Sequence, residues 1–331
     1  MYPQNSFLPS ERELAIEFQV SRNTIVAALK NLSSEDLLEI SPGRGTRILP
    51  TRTHAEPAVI GIIHNLGGQS ESREGLRILE GIQDAIQNTG FRHEFMVISA
   101  DSPLTTDNSQ LEEKYQGVIY LETICSSAQI LRLHKKGFPI VVANLEEDLD
   151  VPGTYVDHAK AAHEAVKLLV GFGHRRIAFL GRKPDISFYG KALSGYILGL
   201  NEAGIPQDEL LIGTTVMAGD MFQAYSVTKN LLGLPEPPTA IVAARDSFAA
   251  GAVEASREAG LIVGRDISII GYDDVSWVQE DSFLTTFKEP CYELGATAVE
   301  MLINRINNNS GTEKLVIESP IIIRKSAGPL L

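Results

Sequence analysis

The chain has 331 residues, of which 44% are hydrophobic and 21% charged, and a formal net charge of −13. This is the balance of an ordinary soluble globular protein, with room for a small domain and one of about 250 residues, or for two of moderate size. It contains no run of eighteen apolar residues that would span a membrane, and its N-terminus lacks the basic-then-apolar pattern of a secretory signal. Cys125 and Cys291 match no metal-ligand spacing and read as reduced thiols of a cytoplasmic protein.

From the N-terminus, Pro9-Ser10-Glu11-Arg12-Glu13 opens a helix, with Ser10 as cap and Glu13 completing a capping box. Leu14, Ala15 and Phe18 then fall on one face. Gln19-Val20 makes a short turn, and Ser21 caps a second helix whose predicted buried stripe is Ile25, Ala28, Leu29 and Leu32. The start of that helix offers Arg22, Asn23 and Thr24 to solvent. A short turn between two helices, with polar and basic groups opening the second, is helix-turn-helix geometry. Leu37, Leu38 and Ile40 lead into a tight turn at residues 41–45. Thr46-Arg47-Ile48 returns as a strand, forming a hairpin wing tipped by Arg44 between Gly43 and Gly45. Leu49 to Pro57 is polar, holds two prolines and lacks periodicity. The expected division is therefore a head over 1–48, a linker over 49–57 and a body over 58–331.

Within the body, short apolar runs alternate with helical stretches. The runs are Val59–Ile63, Phe95–Ile98, Gly117–Leu121, Ile140–Ala143, Ile177–Leu180, Leu210–Val216, Ala240–Ala243 and Ile267–Ile270. The helical stretches are Arg73–Asn88, one ending near Lys136, Asp157–Val170, Phe188–Ala203, Phe222–Leu232 and Ser247–Ala259. Such alternation predicts parallel sheets covered on both faces, and the strand count predicts two doubly wound lobes. Ligands of such sheets bind beyond the carboxyl ends of the strands. The residues there are His64-Asn65, Glu122, Asn144, Arg245-Asp246 and Tyr272-Asp273-Asp274.

Two family resemblances cover nearly the whole chain. The head resembles the winged helix-turn-helix of the gluconate-repressor (GntR) family of bacterial regulators, through Leu8-Pro9-Ser10-Glu11-Arg12-Glu13-Leu14-Ala15, Val20-Ser21-Arg22-Asn23-Thr24, Ala28-Leu29 and Gly43-Arg44-Gly45-Thr46. It departs in having Val26 where that family tends to carry arginine. Only seven residues precede Leu8, where the family has a whole helix. The fold is therefore expected to be α/β: a winged helix-turn-helix missing its first helix, then a two-lobed periplasmic-binding-protein-like body. A head without that helix is expected to hold DNA poorly, because Leu14, Ile25, Leu29 and Leu32 would be under-covered. The body resembles the effector domain of lactose-repressor (LacI) regulators, through Gly171-Phe172-Gly173-His174-Arg175-Arg176-Ile177, Asp266-Ile267-Ser268-Ile269-Ile270-Gly271-Tyr272-Asp273-Asp274 and Leu284-Thr285-Thr286. The fused layout is similar to that of arabinose repressors.

The resemblances imply a DNA-binding repressor with no catalytic step and no cofactor, acting as a homodimer on double-stranded operator DNA under control of a sugar or related small effector. Arg12, Ser21, Arg22, Asn23, Thr24, Gly43 and Arg44 would face DNA, since arginine forks suit phosphate and guanine. Residues 1–53 carry six basic and six acidic groups, so the acidic body holds the whole net charge and would confine DNA contact to the head. His64, Asn144, Lys191, Phe222, Arg245 and Asp273 are the expected effector contacts. Asp273 would accept hydroxyl hydrogen bonds, whereas Asp246 and His174 read as structural. The family often carries an arginine at the place of Ala192, and Lys191 stands beside it. Phe222, or Met221, reads equally as a sugar-stacking group and as core. Asp273-Asp274 lacks a third ligand for a metal site. The alternative function is a solute-binding protein with a non-functional head, which a lack of DNA binding would select. An enzyme of doubly wound fold is disfavoured because no nucleophile, metal or dinucleotide motif survives inspection.

Overall fold

The computed structural model describes residues 6–34, 38–41, 45–48, 58–66, 73–87, 89–99, 108–121, 127–145, 149–182, 187–216, 221–274, 283–308 and 314–330. The chain forms two compact units, Met1–Ala58 and Val59–Leu331.

In the head, α1 (Glu11–Glu17) begins with a full capping box. The Ser10 hydroxyl accepts from the Glu13 amide, and Glu13 Oε2 accepts from the Ser10 amide at 2.8 Å. Gln19 takes φ 53, which turns the chain sharply before α2 (Arg22–Ser34). Ser21 caps α2, its hydroxyl accepting from the Thr24 amide at 3.2 Å. β1 (Leu38–Ser41) and β2 (Gly45–Ile48) form the antiparallel wing. Residues 6–8 run along the free edge of β2, where Leu8 donates to the Thr46 carbonyl at 2.8 Å and Ile48 donates to that of Ser6 at 2.9 Å.

The head's core is Leu14, Ile25, Leu29 and Leu38, with Leu8, Ala15 and Ile48 packed against it. Part of the predicted stripe is therefore corrected. Ala28 and Leu32 of that stripe are exposed, as are Phe18 on the face of the first helix and Ile40 in the wing. Within this unit the apolar faces of two short helices and a small hairpin are wider than the surface they share, so their margins stay in solvent.

The body opens with β3 (Val59–Leu66), α3 (Arg73–Gln87), β4 (Arg92–Ser99), α4 (Asn108–Lys114), β5 (Gly117–Leu121), α5 (Ser127–Lys135), β6 (Ile140–Ala143) and β7 (Gly153–Tyr155). It continues with α6 (His158–Gly171), β8 (Ile177–Arg182), α7 (Ser187–Glu202), β9 (Ile212–Thr215), α8 (Met221–Leu232), β10 (Ala240–Ala243), α9 (Asp246–Glu258), β11 (Ser268–Asp273) and β12 (Thr285–Lys288). α10 (Cys291–Asn308), β13 (Lys314–Val316) and β14 (Ile321–Ile322) complete it. The first lobe holds a six-stranded parallel sheet in the order β13-β7-β6-β5-β3-β4. The second holds the order β14-β12-β11-β10-β8-β9, parallel except for β14.

Alternation along each strand divides the first lobe's core into two faces. Ile60, Ile62, Ile119, Leu121, Val141 and Ala143 pack on one side, and Ile63, Val118, Tyr120, Ile140 and Val142 on the other. β12, α4, β7, α10, β13 and β14 lie outside the predicted alternation. Of these α10 matters most, because it follows second-lobe strands yet packs on α3 of the first lobe. A Cβ at Gly81 would stand 2.1 Å from the Tyr292 carbonyl oxygen, and one at Gly295 would stand 2.1 Å from that of Ile78. A glycine on each helix, set against the backbone of the other, lets these helices approach so closely. The chain consequently passes between lobes three times, at residues 156–157, 289–290 and 317–320. No helix among the described residues is long and apolar enough to cross a membrane.

Candidate functional site

Arg12 lies in the first turn of α1, and Ser21, Arg22, Asn23 and Thr24 open α2; all five side chains are exposed. Ser21 is engaged in the cap and in a 2.8 Å contact with the Thr24 hydroxyl. Arg22 is tied to α1: its Nε and Nη2 donate to Glu11 Oε2 at 2.8 and 2.7 Å. This pair joins the N-terminal ends of both helices and fixes where the guanidinium projects. Gly43 and Arg44 lie outside the described residues, as do linker residues 49–57 and Glu122.

In the second lobe, the residues after β10 and β11 build a charged, aromatic-walled niche. Arg245 occupies the N-cap position of α9, with its Nη1 at 3.4 and 3.5 Å from the two Asp273 carboxylate oxygens. Both side chains are largely buried, at 14% and 4% exposure. The guanidinium lies over the Phe188 ring, 4.9 Å from its centroid. Asp273 ends β11 at φ 114 and Asp274 follows at φ 59, so left-handed backbone turns the two carboxylates to different partners. Asp274 accepts from Arg324 Nη2 at 2.8 Å.

His158, the first residue of α6, stands edge-on to Phe188 at 4.4 Å and to Tyr272 at 5.1 Å. Burial, helped by the charges of Arg245 and Lys191, lowers its pKa to about 3 and keeps the ring neutral. Its Nδ1 is buried without a hydrogen-bond partner among the described residues. Burial likewise pushes the Tyr272 hydroxyl well above its ordinary range. A cavity of about 310 Å³, including space open to solvent, is lined by His158, Phe188, Ala192, Ala244, Gly271 and Tyr272 among others.

Arg245, Asp273 and Lys191 are thus gathered around Phe188 and His158. The group adjoins the passages between lobes: His158 directly follows one, and the Glu289 amide of another donates to the Asp273 carbonyl at 3.4 Å. His64 and Asn144 belong to the first lobe. His64 is buried in β3, where desolvation lowers its pKa and its Nδ1 lacks a partner among the described residues. Asn144 follows β6 at φ 60, its amide donating to Thr154 Oγ1 at 3.4 Å. Phe222 is 78% exposed at the start of α8, which excludes the core reading, and it does not line the cavity.

Asp246 is fully buried and accepts from the Thr286 hydroxyl at 2.6 Å. His174 bonds Thr239, Ser268 and the Gly328 carbonyl at 3.0–3.1 Å. Both therefore brace the second lobe. His158 and Phe188 have no place among the site residues expected from sequence, and Tyr272 is expected only at the strand end, not as an effector contact. Tyr272 at least stands beside Asp273, whereas no local signal singles out His158. Among the described residues, no three His, Cys, Asp or Glu side chains are gathered as a metal site requires.

Residues 2–48 match the family model described as bacterial regulatory proteins, gntR family, and residues 166–327 match the periplasmic binding protein-like domain. The chain is 27% identical to the HTH-type transcriptional repressor CytR of Escherichia coli K12, covering 96% of each chain. It is 27% identical to the arabinose metabolism transcriptional repressor of Geobacillus stearothermophilus, over 96% of this chain and 91% of that one. A crystal structure of a regulatory protein of the LacI family from Chloroflexus aggregans matches with TM-score 0.71 and 26% identity, over 81% of this chain and 98% of its own. The chain joins a gntR-type head to a periplasmic-binding-protein-like body of LacI-type fold.

Proposed function

We propose that this fusion is a DNA-binding transcription regulator, a repressor acting as a homodimer, whose hold on operator DNA is set by a sugar or sugar derivative bound between the two lobes. The observation that carries this reading is the buried Arg245–Asp273 pair, backed by Phe188 and placed at the interlobe passages. A carboxylate and a guanidinium in a dry niche bind hydroxyls in both directions, and an aromatic wall suits the apolar face of a sugar ring. The three passages serve as the hinge on which a ligand would draw the lobes together. In a dimer, that closure changes the spacing of the two heads and weakens their simultaneous grip on paired half-sites. Coupling on the order of 1–3 kcal/mol is normal for such a device.

The test is selection of duplexes from a random pool on the full chain, followed by fluorescence anisotropy with and without a panel of sugars. A retained duplex released by one of them supports the reading, and light scattering should give a dimer. Affinity that is unchanged or tighter at saturating ligand removes repression relieved by ligand. A second reading is a sugar binder whose head does not hold DNA, and the relatives named as transcriptional repressors weigh against it. Failure to retain any duplex, with sugar binding intact, selects it.

A further inference from the structure

Positive charge gathers at one place in a body that is otherwise strongly acidic. β8, β10 and β11 are parallel neighbours, with Ala243 opposite Leu180 and Val242 opposite Ile270. Carried to the strand ends, this register sets Arg182, Arg245 and Asp273 in one row across the sheet. Lys191 reaches the same place from α7, one turn beyond Phe188 and on the same helix face. The charges of Lys191 and Arg245 act on the His158 ring, and those of Arg182 and Arg245 on the Tyr189 hydroxyl, so all three cations surround one aromatic cluster.

Among the described residues, the carboxylates nearby do not balance them. Asp273 is engaged by Arg245, Asp274 by Arg324 and Asp246 by the Thr286 hydroxyl. Glu289 faces Tyr272 from the second passage. Arg182 and Lys191 have no ion pair among the described residues. The same niche holds the unpartnered Nδ1 of His158, on a residue only 8% exposed. Closing the lobes over a neutral sugar would strip water from two cations and return nothing to them, which costs free energy. An arginine fork beside a lysine suits phosphate or carboxylate oxygens.

We propose that the effector is a polyol carrying an acidic group, phosphate or carboxylate, with Arg182 and Lys191 receiving the anion and the Arg245–Asp273 pair and His158 Nδ1 receiving hydroxyls. This rests on the reading of the cleft as a sugar site and names the chemical class that the site selects. The net charge of −13 makes the choice sharper, since the body repels anions everywhere except where local cations outweigh it.

The experiment is calorimetric titration of the full chain with matched sets: glucose, gluconate and glucose 6-phosphate; arabinose, arabinonate and arabinose 5-phosphate; and inorganic phosphate alone. Arg182→Gln and Lys191→Gln are titrated beside the wild type, with melting curves confirming that each is folded. The expected result is binding of an acidic member at least tenfold tighter than its neutral parent, weakened tenfold or more in each variant and by added salt. Preference for the phosphate series or for the sugar acids identifies the anion. A neutral sugar binding as tightly as its acidic partner, with both variants unaffected, overturns the proposal and leaves the sugar-site reading standing. Binding of inorganic phosphate alone, without preference for any polyol, overturns both. No response to any compound counts against both as well.

Discussion

Replacing Asp273 by Asn removes the carboxylate charge and keeps the shape of the side chain. The Arg245–Asp273 pair is buried, and breaking such a pair typically costs about 3–5 kcal/mol, because the remaining charge is left without compensation. Here the two contacts are long, at 3.4 and 3.5 Å, and the guanidinium keeps its seat over Phe188. The expected loss of folding stability is therefore at or below the low end of that range, about 2–3 kcal/mol. Asp273 sits at φ 114, a conformation that strains any side chain by about 1–3 kcal/mol. Asp273→Gly should therefore be less destabilising than Asp273→Ala, although both lose the charge. Effector affinity should fall by about 2–3 kcal/mol, roughly 30- to 150-fold, through loss of a charged hydrogen-bond acceptor. Urea unfolding of the three variants and titration with the compound that binds the wild type measure both quantities. If Asp273→Asn unfolds at the wild-type urea midpoint and binds the compound as tightly, Asp273 neither braces Arg245 nor receives the ligand.

Arg22→Ala should weaken operator binding by about 1–3 kcal/mol, read by anisotropy at fixed salt. Because its pair with Glu11 is exposed, Glu11→Gln should change stability by no more than about 1 kcal/mol, and a larger shift in urea unfolding would contradict that. His158 is held neutral in the fold, with its pKa lowered from 6.5 to about 3. The unfolded chain therefore takes up a proton that the native chain refuses, and stability falls as pH drops below about 6.5. Between pH 7 and pH 5 this contributes a loss of roughly 2 kcal/mol. His158→Gln should unfold with a correspondingly flatter pH dependence, and identical slopes in the two proteins would refute the assignment. Gly295→Ala, whose new methyl would stand 2.1 Å from the Ile78 carbonyl, should force α10 off α3 and cost about 1–3 kcal/mol or more by urea titration.

Much of this protein is legible in short stretches. The capping box at Ser10 and Glu13, the Ser21 cap and the wing strands depend on residues within a few positions of one another, and all form as their sequence directs. The buried strands announce themselves in the same way, since Ile119, Val141 and Ile241 belong to continuous apolar runs that only a sheet covered on both faces can bury. The polar residues after those runs, Asn144, Arg245 and Asp273, mark the ends of strands where such sheets bind ligands.

What each of these residues meets was left to the tertiary structure. Phe18 and Leu32 lie on apolar helix faces yet remain exposed, because burial depends on how much surface the partner elements supply. α10 returns to the first lobe because Gly81 and Gly295 allow a close helix crossing, although they lie far apart in sequence. Arg245 finds Asp273 through the order and register of parallel strands, and His158 enters the niche because the chain crosses between lobes just before it. Caps and periodicities are encoded by neighbours along the chain, so sequence alone determined the elements that carry them, whereas α4, α10 and the short strands β7, β12, β13 and β14 emerged only in the fold. The niche exists only through contacts between distant segments, whose geometry is decided when the sheets and their crossings assemble together.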